Sequence, residues 1–272
     1  MSRFQVGALL KEDQLGRVER IDRVEVGSDG RERRVPFAVR RVACGGRLPL
    51  SGVVARLCAG RERRALEHLA RAGGLEGTPR ALDAAELARI ESAEHGAPDP
   101  RDVVVRSWLE GAPLSKAERL PRDFFDRLDE LVQALHARGV CHNDLHKEQN
   151  VLVARDGRPA LLDFQLASVH EERGRAFEVR AREDLRHVEK HRRRYTRFGR
   201  GPDGAHEPQQ GAGVGLRRSF VARVWRRTGK PLYNVVTRKL LRTRDGEERR
   251  PSSGPWPVWT EPVGPRDASR AT

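Results

Sequence analysis

The chain has 272 residues, which is enough for one large domain or two smaller lobes with a buried core. Its 53 lysines and arginines exceed its 39 acidic residues, so the formal net charge is +14, and only six of the basic residues are lysines. Such a charge attracts polyanions, whether nucleic acid, an anionic membrane surface or a phosphorylated substrate, although arginine richness can equally reflect the composition of the source genome. The three scattered cysteines suit a reducing cytosol and argue against a zinc site.

The apolar runs of the chain are short, and the segment that follows Met1 is polar. A transmembrane helix needs about 20 consecutive apolar residues, so none is predicted, and neither is a signal segment. We therefore expect a cytoplasmic protein.

The N-terminal part of the chain contains strand-like segments and one helical segment. The Gly-Ser-Asp-Gly sequence at 27–30 predicts a hairpin turn, and the helix is predicted to end at Gly73. One side of this helix is formed by Ala65, Leu66, Leu69 and Ala70. The predicted elements are strands over 6–10, 17–26, 35–42, 81–82 and 103–105 and a helix over 61–72.

The next part of the chain has helical periodicity. Apolar residues recur at three- and four-residue steps before Gly139, which predicts an amphipathic helix. An Asp-Gly pair at 156–157 predicts a turn between two short strands. The predicted elements are helices over 120–138 and 178–195 and strands over 151–154 and 160–163.

The C-terminal part is basic and then polar. Residues 196–215 are predicted to form a mobile loop, and residues 217–244 contain ten lysines or arginines and no acid. Pro231 divides this basic segment into two predicted helical pieces, and the Pro/Ser/Gly-rich residues 251–272 are predicted to be extended or disordered. Apolar residues such as Trp225 between the arginines favour peripheral contact with an anionic membrane, at the inner face of the inner membrane, over contact with nucleic acid. A packed helix pair explains the same pattern.

Four polar residues surround one short predicted hairpin in the centre of the chain. They are His142, Asp144, Asn150 and Asp163. Phosphoryl transfer from Mg-ATP needs a carboxylate near the attacking hydroxyl, and a carboxamide and a second carboxylate that hold the metal. Mg²⁺ prefers oxygen ligands and keeps several waters, so few protein ligands suffice. The order of these residues indicates a phosphotransferase.

These positions resemble the catalytic loop of the protein-kinase-like superfamily, and within it the small bacterial lipopolysaccharide-kinase and RIO-like branch. The resemblance implies that Asp144 is the catalytic aspartate and that His142 buttresses the loop. It implies that Asn150 and Asp163 bind Mg²⁺ and that ATP is the phosphate donor. Five residues separate Asp144 from Asn150 where the family has four, which we interpret as a one-residue bulge.

The resemblance also assigns residues in the N-terminal part. Arg40, in the Phe-Ala-Val-Arg sequence at 37–40, stands where the family has its phosphate-binding lysine, and Glu62 stands where the family has the partner glutamate. The neighbouring Arg41 is expected on the opposite face of the strand. Gly16 is the single glycine in the segment that corresponds to the phosphate-covering loop.

The segment at 105–111, which includes Arg106 and Trp108, resembles the strand and hinge that contact adenine through backbone groups. Gln165 replaces the glycine that usually follows Asp163 and its phenylalanine, and no Ala-Pro-Glu element follows. This departure favours a small-molecule, glycolipid or RIO-like kinase over a eukaryotic-style protein kinase.

The predicted fold is α+β and two-lobed, with ATP between the lobes. A small antiparallel sheet with one helix forms the N-lobe (1–105), and a mostly helical C-lobe (106–195) carries the active loop. A basic helical extension (196–250) and a disordered tail (251–272) follow. The predicted function is transfer of the ATP γ-phosphate to a hydroxyl of a lipopolysaccharide-type sugar or of a protein serine or threonine. The alternatives are a catalytically weak pseudokinase that acts as a binding module, and a scaffold bound to membrane or nucleic acid.

Overall fold

The computed structural model describes residues 3–13, 15–45, 50–91, 100–198 and 256–263. The fold is mixed α+β, with a small antiparallel sheet and four α-helices among these residues. The sheet has the order β1-β2-β3-β4, and each neighbouring pair is antiparallel. Its strands are β1 (Arg3–Asp13), β2 (Gly16–Val26), β3 (Glu32–Ala43) and β4 (Val103–Ser107). The predicted hairpin turn is confirmed, since the Gly30 N–H donates to the Gly27 carbonyl over 3.0 Å.

The four helices are α1 (Ser51–Arg71), α2 (Ala84–Glu91), α3 (Phe124–Ala137) and α4 (Arg175–Phe198). The end of α1 is as predicted, because Gly73 and Gly74 adopt positive φ and donate to the last carbonyls of the helix. The predicted start at residue 61 was ten residues late. The first turns of α1 bury only small residues such as Ala55 and Ala59, so they lack the usual apolar signal. Ala70, predicted on the buried side, is exposed.

The chain divides into two compact units, Met1–Glu110 with Asp163–Val169, and Gly111–Leu162 with His170–Thr272. Residues 106–110 and 163–169, predicted to belong to the C-lobe, therefore cluster with the sheet. The first unit has an apolar core between β-strands and the segment around α2, formed by Phe4, Ile21, Ala38, Leu82 and Ile90. Of the predicted strand at 81–82, the structure shows an isolated bridge from Ala81 to Arg106. A short strand, β10 (Ser168–Val169), also lies in this unit.

The second unit is built around α3, which begins at Phe124 rather than at residue 120 as predicted. Leu120 precedes Pro121, and a residue before proline is driven into extended conformation, so both lie in a strand. The strands of this unit are β5 (Gly111–Pro113), β6 (Arg119–Pro121), β7 (Val140–Cys141), β8 (Val151–Ala154), β9 (Pro159–Leu161) and β11 (Val258–Thr260). β5, β8 and β9 form an antiparallel sheet, and β11 pairs in parallel with β6.

Of the tail over 251–272 that was predicted to be extended or disordered, the structure describes residues 256–263, which contain an extended strand. Within Trp256–Val263, β11 is hydrogen-bonded to β6, and Trp259 is only 1% exposed. The Val-Trp-Thr sequence has strong strand propensity, which the surrounding prolines concealed. The predicted loop at 196–215 begins inside α4, which extends to Phe198. The rest of that loop and the basic segment 217–244 lie outside the described residues. Among the helices that are described, none has the length and apolar character to span a bilayer.

Candidate functional site

The second unit contains a group of polar residues on the segment between β7 and β8. His142 is fully buried, and its backbone N–H donates to Asp184 Oδ2 over 2.8 Å. Its ring Nε2 lies 2.8 Å from the Leu162 carbonyl, and its Nδ1 faces the Asp144 N–H at 3.3 Å. A carbonyl can only accept, so we assign the ring proton to Nε2. His142 therefore holds the backbone of the loop on both sides, as the resemblance implies.

Asp184 is an anchor that the sequence analysis missed. Its carboxylate accepts the backbone N–H groups of His142 and Asn143, and its Oδ2 also lies 3.2 Å from the Nε2 of His136. Asn143 has a left-handed φ of 63°, a conformation that asparagine tolerates better than most residues. The sequence contained a signal for this role. α4 buries a face of apolar, aromatic and histidine residues, and Asp184 is the acidic residue on that face. That face comprises Phe177, Asp184, Val188, His191 and Tyr195.

The Asp144 carboxylate is buried and surrounded by donors. Asn150 Nδ2 donates to Asp144 Oδ2 over 2.9 Å and to the Asp144 carbonyl over 3.0 Å. Lys147 Nζ lies 2.9 Å from Oδ2, and His146 Nδ1 lies 2.9 Å from Oδ1. Burial favours the protonated acid, but the contacts with His146 and Lys147 outweigh it and lower the pKa of Asp144 to about 2. The carboxylate is therefore ionised at neutral pH.

Asn150 is 5% exposed and ends a short 3₁₀ turn directly before β8. Both of its hydrogen bonds to Asp144 use the amide nitrogen, so the amide oxygen points away from Asp144. The structure thus brings Asp144 and Asn150 together and leaves an oxygen of the correct type for a hard metal ion.

Further contacts from α4 hold the same loop. His191 Nε2 lies 2.8 Å from the Leu145 carbonyl, and the Tyr195 hydroxyl lies 3.0 Å from Glu148 Oε2 and 3.0 Å from the Leu114 carbonyl. Burial lowers the pKa of His191, so its ring is neutral, and burial together with the Glu148 charge raises the pKa of Tyr195, so its hydroxyl remains a donor. α4 therefore fixes the loop at several points.

The first unit contains a second polar group, centred on Glu62 of α1. Glu62 is fully buried, and its two carboxylate oxygens lie 3.1 Å from Arg41 Nε and 3.1 Å from Arg106 Nε. The prediction that Arg40 is the partner of Glu62 was wrong. Arg40 pairs with Glu19, at 2.6 Å between Nη2 and Oε2.

The physical reason is that successive side chains of a β-strand point to opposite faces of the sheet. Arg40 lies directly opposite Glu19 in the β2–β3 register, and paired residues of antiparallel strands share a face. Arg41 consequently occupies the other face of β3, the face that presents it to Glu62. The two arginines lie on opposite faces of β3, as strand alternation predicts, but the sequence does not show which of them faces the helix.

Asp163 and Gln165 complete this group in the first unit. Arg41 Nη2 lies 3.5 Å from Asp163 Oδ1, and the side-chain amide of Gln165 lies against the Arg41 guanidinium. Asp163 adopts a left-handed φ of 63°, a conformation that aspartate, like asparagine, tolerates better than most residues. Arg41 therefore contacts both Glu62 and Asp163, and it occupies the place beside Glu62 that was predicted for Arg40.

Gly16 is explained by packing rather than by a ligand. Its φ is 145°, and a Cβ at this position would collide with the carbonyl oxygen of Val42 on β3. At the same turn, the N–H of Leu15 donates to Asp13 Oδ1 over 2.8 Å. The Asp13 carboxylate therefore already accepts the Leu15 N–H, a donor that a bound phosphate would need. The prediction that Gly16 binds the cofactor is not supported.

The segment predicted to contact adenine uses part of its backbone within the first unit. The N–H of Ser107 donates to the Arg80 carbonyl over 2.9 Å, and the N–H of Trp108 donates to the Phe37 carbonyl over 3.0 Å. The Trp108 N–H is therefore used within the unit rather than offered to adenine. Arg106 is 7% exposed, and its side chain forms an ion pair with Glu62 that the sequence analysis did not predict.

One buried cluster has metal-ligand residue types, but its carboxylate is already used by the backbone of the loop. The ligand atoms of His136, Cys141 and Asp184 lie within 4.8 Å of one another. Burial raises the pKa of the Cys141 thiol to about 12, and metals bind the thiolate. Asp184 already accepts two backbone N–H groups, so this cluster is better described as support for the loop.

Comparison with curated proteins finds a match at 33% identity over 135 residues with a protein described as "Probable SapB synthase" from Streptomyces coelicolor. The match covers 42% of this chain and 13% of that protein, so the chain spans a small part of the length of its curated relative. No family model matches the chain.

Proposed function

We propose that the chain is an ATP-dependent phosphotransferase that transfers the γ-phosphate to a hydroxyl group. The observation that carries this proposal is the Asp144–Asn150 pair, in which a buried carboxylate is kept ionised and contacts the amide nitrogen of Asn150 and the Lys147 ammonium. Phosphoryl transfer requires little covalent chemistry from a protein, so positioning and charge are the main contributions.

Each residue has a distinct role in this proposal. A carboxyl with a pKa of about 2 is a weak base, so Asp144 orients the acceptor hydroxyl rather than removing its proton early. Lys147 adds positive charge beside it, which suits the charge on a transferred phosphoryl group. Mg²⁺, when bound, would neutralise phosphate charge, and the oxygen donors of Asn150 and Asp163 fit its preference. His142 is a positioning residue for the loop.

Arg41 takes the place of the phosphate-binding lysine. It is always charged, and its planar guanidinium suits bidentate contact with phosphate. Releasing an arginine from a buried glutamate normally leaves an unpaired charge, at a cost of about 3–5 kcal/mol. Here Arg106 contacts the other oxygen of Glu62, so Glu62 stays paired when Arg41 turns towards a ligand.

The two-lobed protein-kinase-like fold of the lipopolysaccharide-kinase or RIO-like branch is part of this proposal. A four-stranded antiparallel sheet with α1, followed by α3, the Asp144 loop and the β8–β9 hairpin, has the element order that the resemblance implies. The name of the Streptomyces relative describes a synthase, which supports enzymatic function in general and not phosphate transfer in particular. The acceptor is a sugar hydroxyl of a glycolipid or a serine or threonine of a protein, and the protein acts in the cytoplasm.

The test is Mg-ATP binding by thermal shift, combined with an assay of phosphate transfer. A ligand at about a hundred times its dissociation constant stabilises the native state by about 2.7 kcal/mol. We expect this stabilisation in the wild type, its loss in Asp163→Ala, and its retention without transfer in Asp144→Asn. Transfer at the wild-type rate by Asp144→Asn would contradict the catalytic assignment.

A second candidate is a nucleotide-binding module that transfers phosphate poorly. The turn between β1 and β2 favours it, because Asp13 occupies the Leu15 N–H and adds negative charge where a phosphate-covering loop would need donors. The two candidates differ in one result. Magnesium-dependent stabilisation by ATP without any turnover, also in the presence of glycolipid and protein acceptors, would favour the binding module.

A further inference from the structure

The beginning of α1 buries small side chains and exposes large apolar ones. The residues that face solvent are Leu50, which directly precedes the helix, and Val53, Val54 and Leu57 within it, with exposures of 75%, 51%, 44% and 61%. Their spacing of three and four residues places them on one stripe of the helix. The buried face of the same turns carries Ser51, Ala55 and Ala59. Large apolar side chains thus face solvent while small ones are buried, so the stripe (residues 50, 53, 54 and 57) indicates an interaction surface.

The charge around the stripe indicates the kind of partner. Arg61 and Arg64 are exposed on the same helix, and residues 51–61 contain no acid. Arg56 is also exposed but is paired with Asp102. Arg61 and Arg64 follow Leu57 by four and seven residues, so the basic residues continue the apolar stripe along one face. A partner surface should therefore combine an apolar layer with negative charge.

We propose that this stripe docks on the surface of an anionic lipid bilayer. An interfacial helix buries its apolar residues about 5–10 Å into the boundary between headgroups and acyl chains, while its arginines contact lipid phosphates. Protein interfaces are usually anchored by aromatic residues, and the stripe has none. The net charge of +14 adds long-range attraction to the same kind of surface.

The backbone supports an exposed role for Leu50. This residue has a left-handed φ of 66°, which is unfavourable for leucine, and its side chain gains no burial in return. The stripe does not use Asp144, Asn150, Arg41 or Asp163, so the membrane proposal stands or falls independently of phosphate transfer.

The experiment measures binding of the intact chain to vesicles of phosphatidylcholine with and without phosphatidylglycerol. The variant is Val53→Glu with Leu57→Glu, and the matched control is Leu9→Glu, since Leu9 is 57% exposed but lies on β1. We expect binding that requires phosphatidylglycerol and an affinity at least tenfold lower in the stripe variant. The control should bind like the wild type. Thermal unfolding of both variants, and a milder Leu57→Ala variant with an intermediate loss, show that the effect is not a folding defect.

Three results would overturn the proposal. Equal binding by the stripe variant and the wild type would place the lipid contact elsewhere, for example in the basic segment 217–244. Equal binding to both kinds of vesicle would remove the role of charge. Absence of vesicle binding together with self-association that the stripe variant abolishes would identify a second copy of the chain as the occupant.

Discussion

Asp144 is a buried acid that its neighbours keep charged, and this has a consequence for stability. The pKa is 3.8 for an unperturbed aspartate and about 2 for Asp144 in the folded chain. A group whose folded pKa is lowered stabilises the native state above its unfolded pKa, and that contribution disappears as the pH falls through the folded pKa. The relevant window is therefore from about pH 4 to about pH 2.

We predict that Asp144→Asn removes this pH dependence. The wild type should lose up to about 2 kcal/mol of its free energy of unfolding, relative to the variant, as the pH falls through that window. Urea denaturation at several pH values measures the difference between the two proteins. A difference that is the same at pH 5 and pH 2 would show that Asp144 does not titrate as its contacts with His146 and Lys147 imply.

Adjacent arginines on β3 allow a matched test of the corrected assignment. We predict that Arg41→Gln lowers Mg-ATP affinity at least tenfold, because it removes the proposed phosphate contact, whereas Arg41→Lys retains binding. The control is Arg40→Gln with Glu19→Gln, which removes both members of the buried pair, while Arg17, the other partner of Glu19, is exposed to solvent. Isothermal titration of all three variants measures the effect. Loss of ATP binding in the Arg40 control with retention in Arg41→Gln would restore the original assignment.

At the scale of elements, α4 supports the loop that carries Asp144 through side chains that reach backbone groups. Asp184→Asn replaces one acceptor oxygen by an NH₂ group, which cannot accept the N–H of His142 or Asn143. We predict a loss of about 2 kcal/mol in the free energy of unfolding and faster amide exchange at both residues. Glu183→Gln is the control, because its ion pair with Arg186 is partly exposed and contributes little. Unchanged amide exchange in Asp184→Asn would contradict the anchoring role.

The elements also show what sequence patterns can and cannot predict. Period and turn signals identified β2, β3, α3 and the hairpin of β8 and β9, because those signals act over a few neighbouring residues. The partner of Glu62 depended on the face of β3 that meets α1, which is a property of packing. The role of Asp184 depended on contacts across more than 40 residues of chain. The Asp144–Asn150 pair was predicted because both residues lie in one short loop.

At the scale of the whole molecule, the end of the described chain contributes to the fold of the second unit. β11 adds a strand beside β6, and Trp259 is buried to 1% exposure. Trp256 packs against Phe198 with ring centroids 4.8 Å apart and against Tyr195 at 5.4 Å. These contacts join the terminal segment to α4. Side chains of α4 in turn bond the backbone of the loop that carries Asp144.

We predict that Trp259→Ala lowers the free energy of unfolding by about 3–5 kcal/mol, the usual cost of removing a buried tryptophan. A chain that ends at residue 255 should lose at least as much, because it also lacks the β6–β11 hydrogen bonds. The matched control ends at residue 263 and keeps β11. Because Tyr195 contacts both Trp256 and Glu148, the shorter truncation should also weaken the support of the loop that carries Asp144. Urea denaturation measures the stability, and equal midpoints for chains ending at 255 and 263 would show that the terminal strand is dispensable.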